Sequence, residues 1–310
     1  MYYSAGTYES FAHPEKPQGV DNKSAYIIGT GLAGLTAAFY LVRDGQMKGE
    51  HIHVFEKLDL AGGSCDGRKD ITKGFFMRGG REMDNHFEVM WDTFRDVPSI
   101  ETPGVSVLDE YYWLNKHDPN YSLCRASINC GEDAHTDKQF KLDKDSAMAL
   151  SKLFMTPEKD LEDMTIEDYF GKDSEFFHSS LWWCYHSMLA FKPYHSALEA
   201  QRYFNRFGLL NRLDYLEGIL HTKRNDKDSV IKPIHKWLED QGVTFRMDTA
   251  VYDLEMDEAC NTVYGIKIKN QETIPVRAQD YVLLTSGSMM TNASYGDNTH
   301  LAEINRDTED

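Results

Sequence analysis

An apolar run, Ala25-Tyr26-Ile27-Ile28, stops at a glycine turn and passes directly into apolar positions at helical spacing from Leu35 to Leu41. A short continuous apolar run bounded by turn residues reads as a buried strand, and the spacing after it reads as a helix. His51 to Phe55 gives a second strand that ends in Glu56, so Lys23 to Glu56 is the start of a βαβ unit. The segment Met77 to Trp91 reads as a glycine loop, Gly79-Gly80, turning into a charged, amphipathic helical run. From 92 to 140 the pattern breaks up. Pro, Gly, Asn and Asp surround the short stretches Val105 to Leu108 and Tyr111 to Leu114, which predicts loops with brief strands.

Helical periodicity returns at Lys144. Ser146 to Phe154 and Thr165 to Phe170 carry it, the second opened by Thr165 with Asp168 three residues on, an approximate capping box. Phe176 to Phe191 holds Trp182, Trp183 and Tyr185, and Ala197 to Leu210 adds Tyr203, Phe204 and Phe207. Such a block can wall an apolar cavity, or be ordinary core, as aromatic stripes at helical spacing usually are. After the polar connection Thr222 to Asp228 come a helix, Ser229 to Asp240, and strands at Val243 to Met247, Ala250 to Met256 and Val263 to Lys269. A buried strand, Tyr281 to Leu284, then runs into Thr285-Ser286-Gly287-Ser288. The order predicts an α/β, Rossmann-like nucleotide-binding domain with an inserted, mainly helical domain. Its boundaries are an arm at 1–22, a first part at 23–140, the helical insertion at 141–228, a second part at 229–297 and an acidic tail at 298–310.

The candidate chemistry begins at Gly29-x-Gly31-x-x-Gly34. Gly29 permits the turn, Gly31 lets backbone approach a pyrophosphate, and Gly34 lets the helix pack on the strand. The helix amino-terminus then faces the anion with unpaired N–H groups and the positive end of its dipole. Glu56 stands near the roughly 20-residue offset of an acid that bonds an adenosine ribose, and its charge disfavours the 2′-phosphate of NADP. The plainer alternative is a Gly-rich loop in an ordinary βαβ unit. Gly62-Gly63-Ser64 follows, an element that flavoproteins place just after the ribose acid and a simple dehydrogenase lacks; alone it would be a turn. Arg78, Arg81 and Glu82 fall where a loop becomes a helix beside the cofactor, or are solvated charges on a capped helix. Gly242-Val243-Thr244-Phe245, a β-meander and a hydrophobic strand closing on Thr285-x-Gly287 follow the order of two-domain flavoproteins, with the Val251 backbone at the adenine.

Composition narrows the partners. A chain of 310 residues allows two domains, and a formal net charge of −17 disfavours nucleic acid and anionic membrane surfaces. No apolar run reaches the ~18 residues of a spanning helix, and residues 1–20 hold no secretory core, which together predict a cytoplasmic protein. The five cysteines, Cys65, Cys124, Cys130, Cys184 and Cys260, are scattered and odd in number, so free thiols are expected and no metal site is read from them.

Gly29-Thr30-Gly31-Leu32-Ala33-Gly34, Gly62-Gly63-Ser64, Arg78-Gly79-Gly80-Arg81-Glu82-Met83, the block Phe191 to Phe207 with Tyr203, and Gly287-Ser288-Met289 with Tyr295-Gly296-Asp297-Asn298 closely resemble the bacterial oleate hydratases, also called the myosin-cross-reactive antigen family. The resemblance implies FAD as cofactor and addition of water to the cis-9 double bond of unsaturated fatty acids (oleate, linoleate), giving 10-hydroxy products without net redox change. It implies that Glu82 activates water and that Tyr203 protonates the alkene. FAD would be held by Gly29, Gly31, Leu32, Ala33, Gly34, Glu56, Gly63, Ser64, Val251 and Ser288, with Arg81 beside them. Family enzymes are longer, and the remainder supplies the substrate-carboxylate groups and a membrane-contacting end; a homodimer is a further expectation. Two other readings stand beside this one: a flavin oxidoreductase resembling amine oxidases or desaturases, and a non-catalytic remnant.

Overall fold

The computed structural model describes residues 12–72, 74–77, 82–119, 127–133, 142–205, 219–285, 287, 294 and 296–304. The chain divides into two compact units, the first made of Met1–Arg81, His86–Trp113 and Thr222–Asp310, the second of Glu82–Asn85 and Leu114–His221.

The first unit opens with strand β1 (Ala25–Ile28), helix α1 (Leu32–Arg43) and strand β2 (Ile52–Phe55). β1 buries Ala25 and Ile27 completely, and α1 buries Leu35, Ala38 and Phe39 at the i, i+3, i+4 spacing of one helix face. A hairpin, β3 (Gly67–Asp70) and β4 (Gly74–Met77), follows. Helix α2 (Glu88–Phe94) begins later than the sequence pattern suggests, because residues 82–83 are drawn into a strand of the second unit. The expectation of loops and brief strands across 92–140 is corrected by helix α3 (Val107–His117). Its start signal is a capping box: the Asp109 amide donates to Ser106 Oγ at 3.0 Å, and the Ser106 amide donates to Asp109 Oδ2 at 3.2 Å.

An ion cluster ties α2 to α1. Arg43 bonds Asp92 at 2.7 Å, Asp96 at 2.9 Å and Asp44 at 2.6 Å, and the Tyr40 hydroxyl donates to Asp92 at 2.8 Å. Burial by itself would raise the Asp92 carboxyl, but the bonds from Arg43 and Tyr40 prevail and hold it below the usual aspartate range. Because the folded value is depressed, the stabilisation is present above the unfolded value of about 3.9 and is lost as pH falls through the folded value. Asp92→Ala is expected to destabilise by about 1.5–3 kcal/mol at neutral pH. Urea titrations should show the gap from wild type closing in strong acid.

In the second unit β5 (Glu82–Met83) pairs antiparallel with a later strand, β6 (Ser127–Ile128) and β7 (Glu132–Asp133) form a hairpin, and among the described residues four α-helices follow. These are α4 (Lys144–Met155), α5 (Ile166–Phe170), α6 (Ser180–Met188) and α7 (Ala197–Tyr203). Each is opened by a side-chain cap, from Asp143, Thr165, Ser179 and Ser196 respectively, and the Thr165/Asp168 box is complete. Their apolar faces meet in an aromatic core that includes Phe176, Trp182, Tyr185, Phe191 and Phe204. Trp183, by contrast, points outward at 43% exposure. β8 (Leu220–His221) closes the unit against β5.

The chain returns to the first unit through a π-type turn, Lys227–Ile231, where a regular helix was expected, and continues in α8 (Lys232–Asp240) and β9 (Thr244–Arg246). An antiparallel meander, β10 (Val251–Met256), β11 (Val263–Ile268) and β12 (Ile274–Pro275), precedes β13 (Tyr281–Leu284). The resulting sheet is parallel, in the order β13-β1-β2-β9, which makes the fold mixed α/β. The expectation of a buried β13 is corrected. Tyr281 is 41% and Leu284 60% exposed, because β13 lies at the edge of the described sheet and pairs only with β1 there. Cys65, Cys130 and Cys260 are free thiols. Among the described residues no helix is long and apolar enough to cross a membrane.

Candidate functional site

Two glycine turns meet at the end of β1. Gly29 turns with φ +108°, and a side chain there would meet the Thr285 hydroxyl at 2.7 Å. A Cβ on Gly34 would stand 2.1 Å from the Gly29 carbonyl oxygen, so α1 packs directly on the turn that precedes it. Gly31 starts α1 with extended backbone and supplies no capping side chain. The first-turn amides at Leu32, Ala33 and Gly34 therefore have no intrahelical acceptor. Opposite them, the Gly62 amide donates to the Thr30 carbonyl at 3.1 Å, and Gly63, with φ +54°, would place a Cβ 2.9 Å from the Gly31 Cα. Ser64 follows in the 3-10 turn Gly63–Cys65. Bare backbone on both sides and a helix amino-terminus form a seat whose chemistry suits a diphosphate.

Glu56 lies at the end of β2, half-buried, and accepts hydrogen bonds from the Thr30 amide at 3.1 Å, the Thr30 hydroxyl at 2.5 Å and the Leu58 amide at 3.0 Å. A carboxylate offers about four acceptor positions, so Glu56 can fix the glycine turn and still take a ribose hydroxyl. The Thr249 amide donates to the Glu56 carbonyl at 2.7 Å, which brings the start of β10, and with it Val251, to the same end of the sheet. Thr285 closes the site from β13, its amide and hydroxyl both bonding the Ile28 carbonyl, at 3.0 and 2.8 Å. Thr30 escaped the sequence reading as a site residue, whereas Thr285 stands in the Thr285-x-Gly287 motif named there. The signal for Thr30 is position: a hydroxyl inside the first glycine turn.

Burial pushes the Cys65 thiol up to about 11, with the Asp226 and Asp66 carboxylates adding to the shift, so it stays protonated beside the second turn. The expected cofactor contacts Arg81 and Ser288 lie outside the described residues, as do Arg78, Gly79 and Gly80. Glu82 and Tyr203 both fall in the second unit. Glu82 is exposed on β5 opposite His221, and the Asn115 side chain anchors that pair by accepting from the His221 amide at 3.0 Å and donating to its carbonyl at 2.8 Å. Tyr203 ends α7 at 37% exposure, with its ring edge-on to Phe191 at 5.2 Å.

The MCRA family model matches residues 22–310. The chain belongs to the MCRA family. This MCRA chain is 45% identical to the oleate hydratase of Streptococcus pyogenes serotype M49 (strain NZ131) over 98% of its own length and 52% of the relative's. It is 28% identical to the linoleate hydratase of Lactiplantibacillus plantarum, covering 91% of itself and 54% of that protein. The chain thus spans about half the length of the curated relatives it matches. Among solved structures, a CLA-producing fatty acid isomerase from P. acnes superposes with a TM-score of 0.57 at 15% identity, over 86% of this chain and 59% of that one. The PF1083 protein from Pyrococcus furiosus gives 0.54 at 16% identity, over 86% and 60%. At such identity these two speak for the fold alone.

Proposed function

We propose that this MCRA chain belongs to an FAD-dependent hydratase that adds water to the cis-9 double bond of unsaturated fatty acids such as oleate and linoleate. The observation that carries the reading is the identity to an oleate hydratase along nearly the whole chain. The glycine seat supports the cofactor half of it. The amides of Leu32, Ala33 and Gly34, with Gly31, Gly63 and Ser64, would hold the diphosphate, Glu56 a ribose hydroxyl, and the Val251 backbone the adenine, with Arg81 and Ser288 completing the set. In this scheme residues 23–140 and 229–297 carry the cofactor and 141–228 the substrate. When bound, FAD supplies a flat ring of adjustable charge to a reaction that has no net redox change.

The chain's own groups would do the proton work. Tyr203 gives its hydroxyl proton to one alkene carbon, water bonds to the other, and Glu82 orients that water and takes its proton while its charge stabilises the cationic carbon. A positioned acid and base supply about 10²–10⁴-fold of rate. A phenol is a weak acid, so charge from Arg78 or Arg81 is the expected help for Tyr203. The test measures oxygen and NAD(P)H alongside product. Oleate should be converted in the presence of FAD with neither consumed, whereas consumption matching product would make the chain a flavin oxidoreductase.

A further inference from the structure

Glu82 sits in a strand of only two residues, β5, paired with an equally short β8. A two-stranded ribbon alone is marginal in water, so something else must hold it. Met83 is buried and Glu82 is exposed, so the alternation of the strand turns Glu82 outward, opposite His221. Along an antiparallel pair, successive residues alternate between facing the partner strand and facing away from it. At His221 the backbone faces away: its amide donates to Asn115 Oδ1 at 3.0 Å, and its carbonyl accepts from Asn115 Nδ2 at 2.8 Å. Asn115 stands 106 positions back in the chain, on α3, and bonds the outer side of β8 as a further strand would. Both bonds fall on the one residue opposite Glu82. Only a primary amide carries an acceptor and a donor side by side; an aspartate would meet the amide and repel the carbonyl, and a leucine of similar size would meet neither.

We infer that Asn115 is a positioning residue for the hydration: acting through the His221 backbone, it holds Glu82 where its carboxylate takes the proton of the attacking water. The inference rests on the proposed hydration and deepens it. The part played by Asn115 is geometric. It moves no proton, and its substitution leaves the acid, the base and the cofactor residues all present. A reacting group misplaced by about 1 Å can cost about 10²-fold in rate.

Steady-state hydration of oleate by the full chain with FAD tests this, compared among wild type, Asn115→Leu, Asn115→Asp and Glu82→Ala. Circular dichroism at the assay temperature reports folding, and flavin absorbance reports retained FAD. Asn115→Leu should lower kcat about 10–100-fold and leave KM for oleate and FAD retention unchanged, the pattern of an interaction that matters only in the transition state. Asn115→Asp keeps one of the two bonds and should fall between, and it serves if the leucine variant does not fold. A wild-type kcat in folded Asn115→Leu would overturn the inference. So would a loss of kcat matched by a raised KM or lost FAD, or failure of both variants to fold, since the clasp would then be structural. Full hydration by Glu82→Ala beside a slow Asn115→Leu would overturn it too, because Asn115 would be acting through another group. The two readings separate: a wild type that hydrates oleate no faster than Asn115→Leu keeps the hydratase and removes this role, whereas a wild type that hydrates nothing removes both.

Discussion

Gly34→Ala yields protein that retains no FAD and unfolds well below wild type. The added methyl would stand 2.1 Å from the Gly29 carbonyl oxygen, far inside van der Waals contact, and its obstacle is backbone rather than the end of a flexible side chain. Relief requires α1 to slide away from the turn. Overpacking of this kind costs about 1–3 kcal/mol and occasionally more. Sliding α1 also moves the Leu32 and Ala33 amides away from Gly63, so the anion seat opens as stability falls. The check is the flavin absorbance that accompanies the purified protein, read with its melting temperature. Gly131→Ala is the control: Gly131 has positive φ, unlike Gly34, but nothing lies within 4 Å of its Cβ position. Its hairpin belongs to the second unit, and FAD retention should be unchanged.

Tyr203→Phe and Glu82→Ala each abolish hydration while FAD stays bound. Loss of a positioned acid or base is worth about 10²–10⁴-fold. Neither substitution should harm folding much, because Tyr203 is 37% exposed and Glu82 lies on the exposed side of a two-residue strand. Initial rates with oleate, and FAD binding followed by fluorescence, separate chemistry from cofactor loss. Full turnover in either variant would remove that residue from the scheme.

What the sequence made legible was local. Residues 25–56 announce themselves because each glycine answers to a backbone contact and each apolar position to one buried face. The Thr165/Asp168 box and the aromatic core likewise follow from short-range spacing. The misreadings have tertiary causes. α3 hid behind Tyr112 and Trp113, which are exposed aromatics that blur the helical stripe, although the Ser106/Asp109 box was there to read. β13 has the apolar content of a buried strand, but its place at the sheet edge is a property of pairing order, which one strand's composition does not encode. Glu82 looked helical by charge pattern and is instead held in a strand by pairing with residues 220–221, far along the chain. The hydrogen bonds of Thr30 to Glu56 join residues on two elements, so the glycine motif alone could not reveal them.

The most direct measurement is to incubate the full chain with FAD and oleate in heavy-oxygen water and weigh the recovered lipid. Hydration predicts a 10-hydroxy product carrying one solvent oxygen, absent when Glu82→Ala replaces wild type. A hydroxylated lipid without the label, its oxygen drawn from dioxygen, would contradict the account.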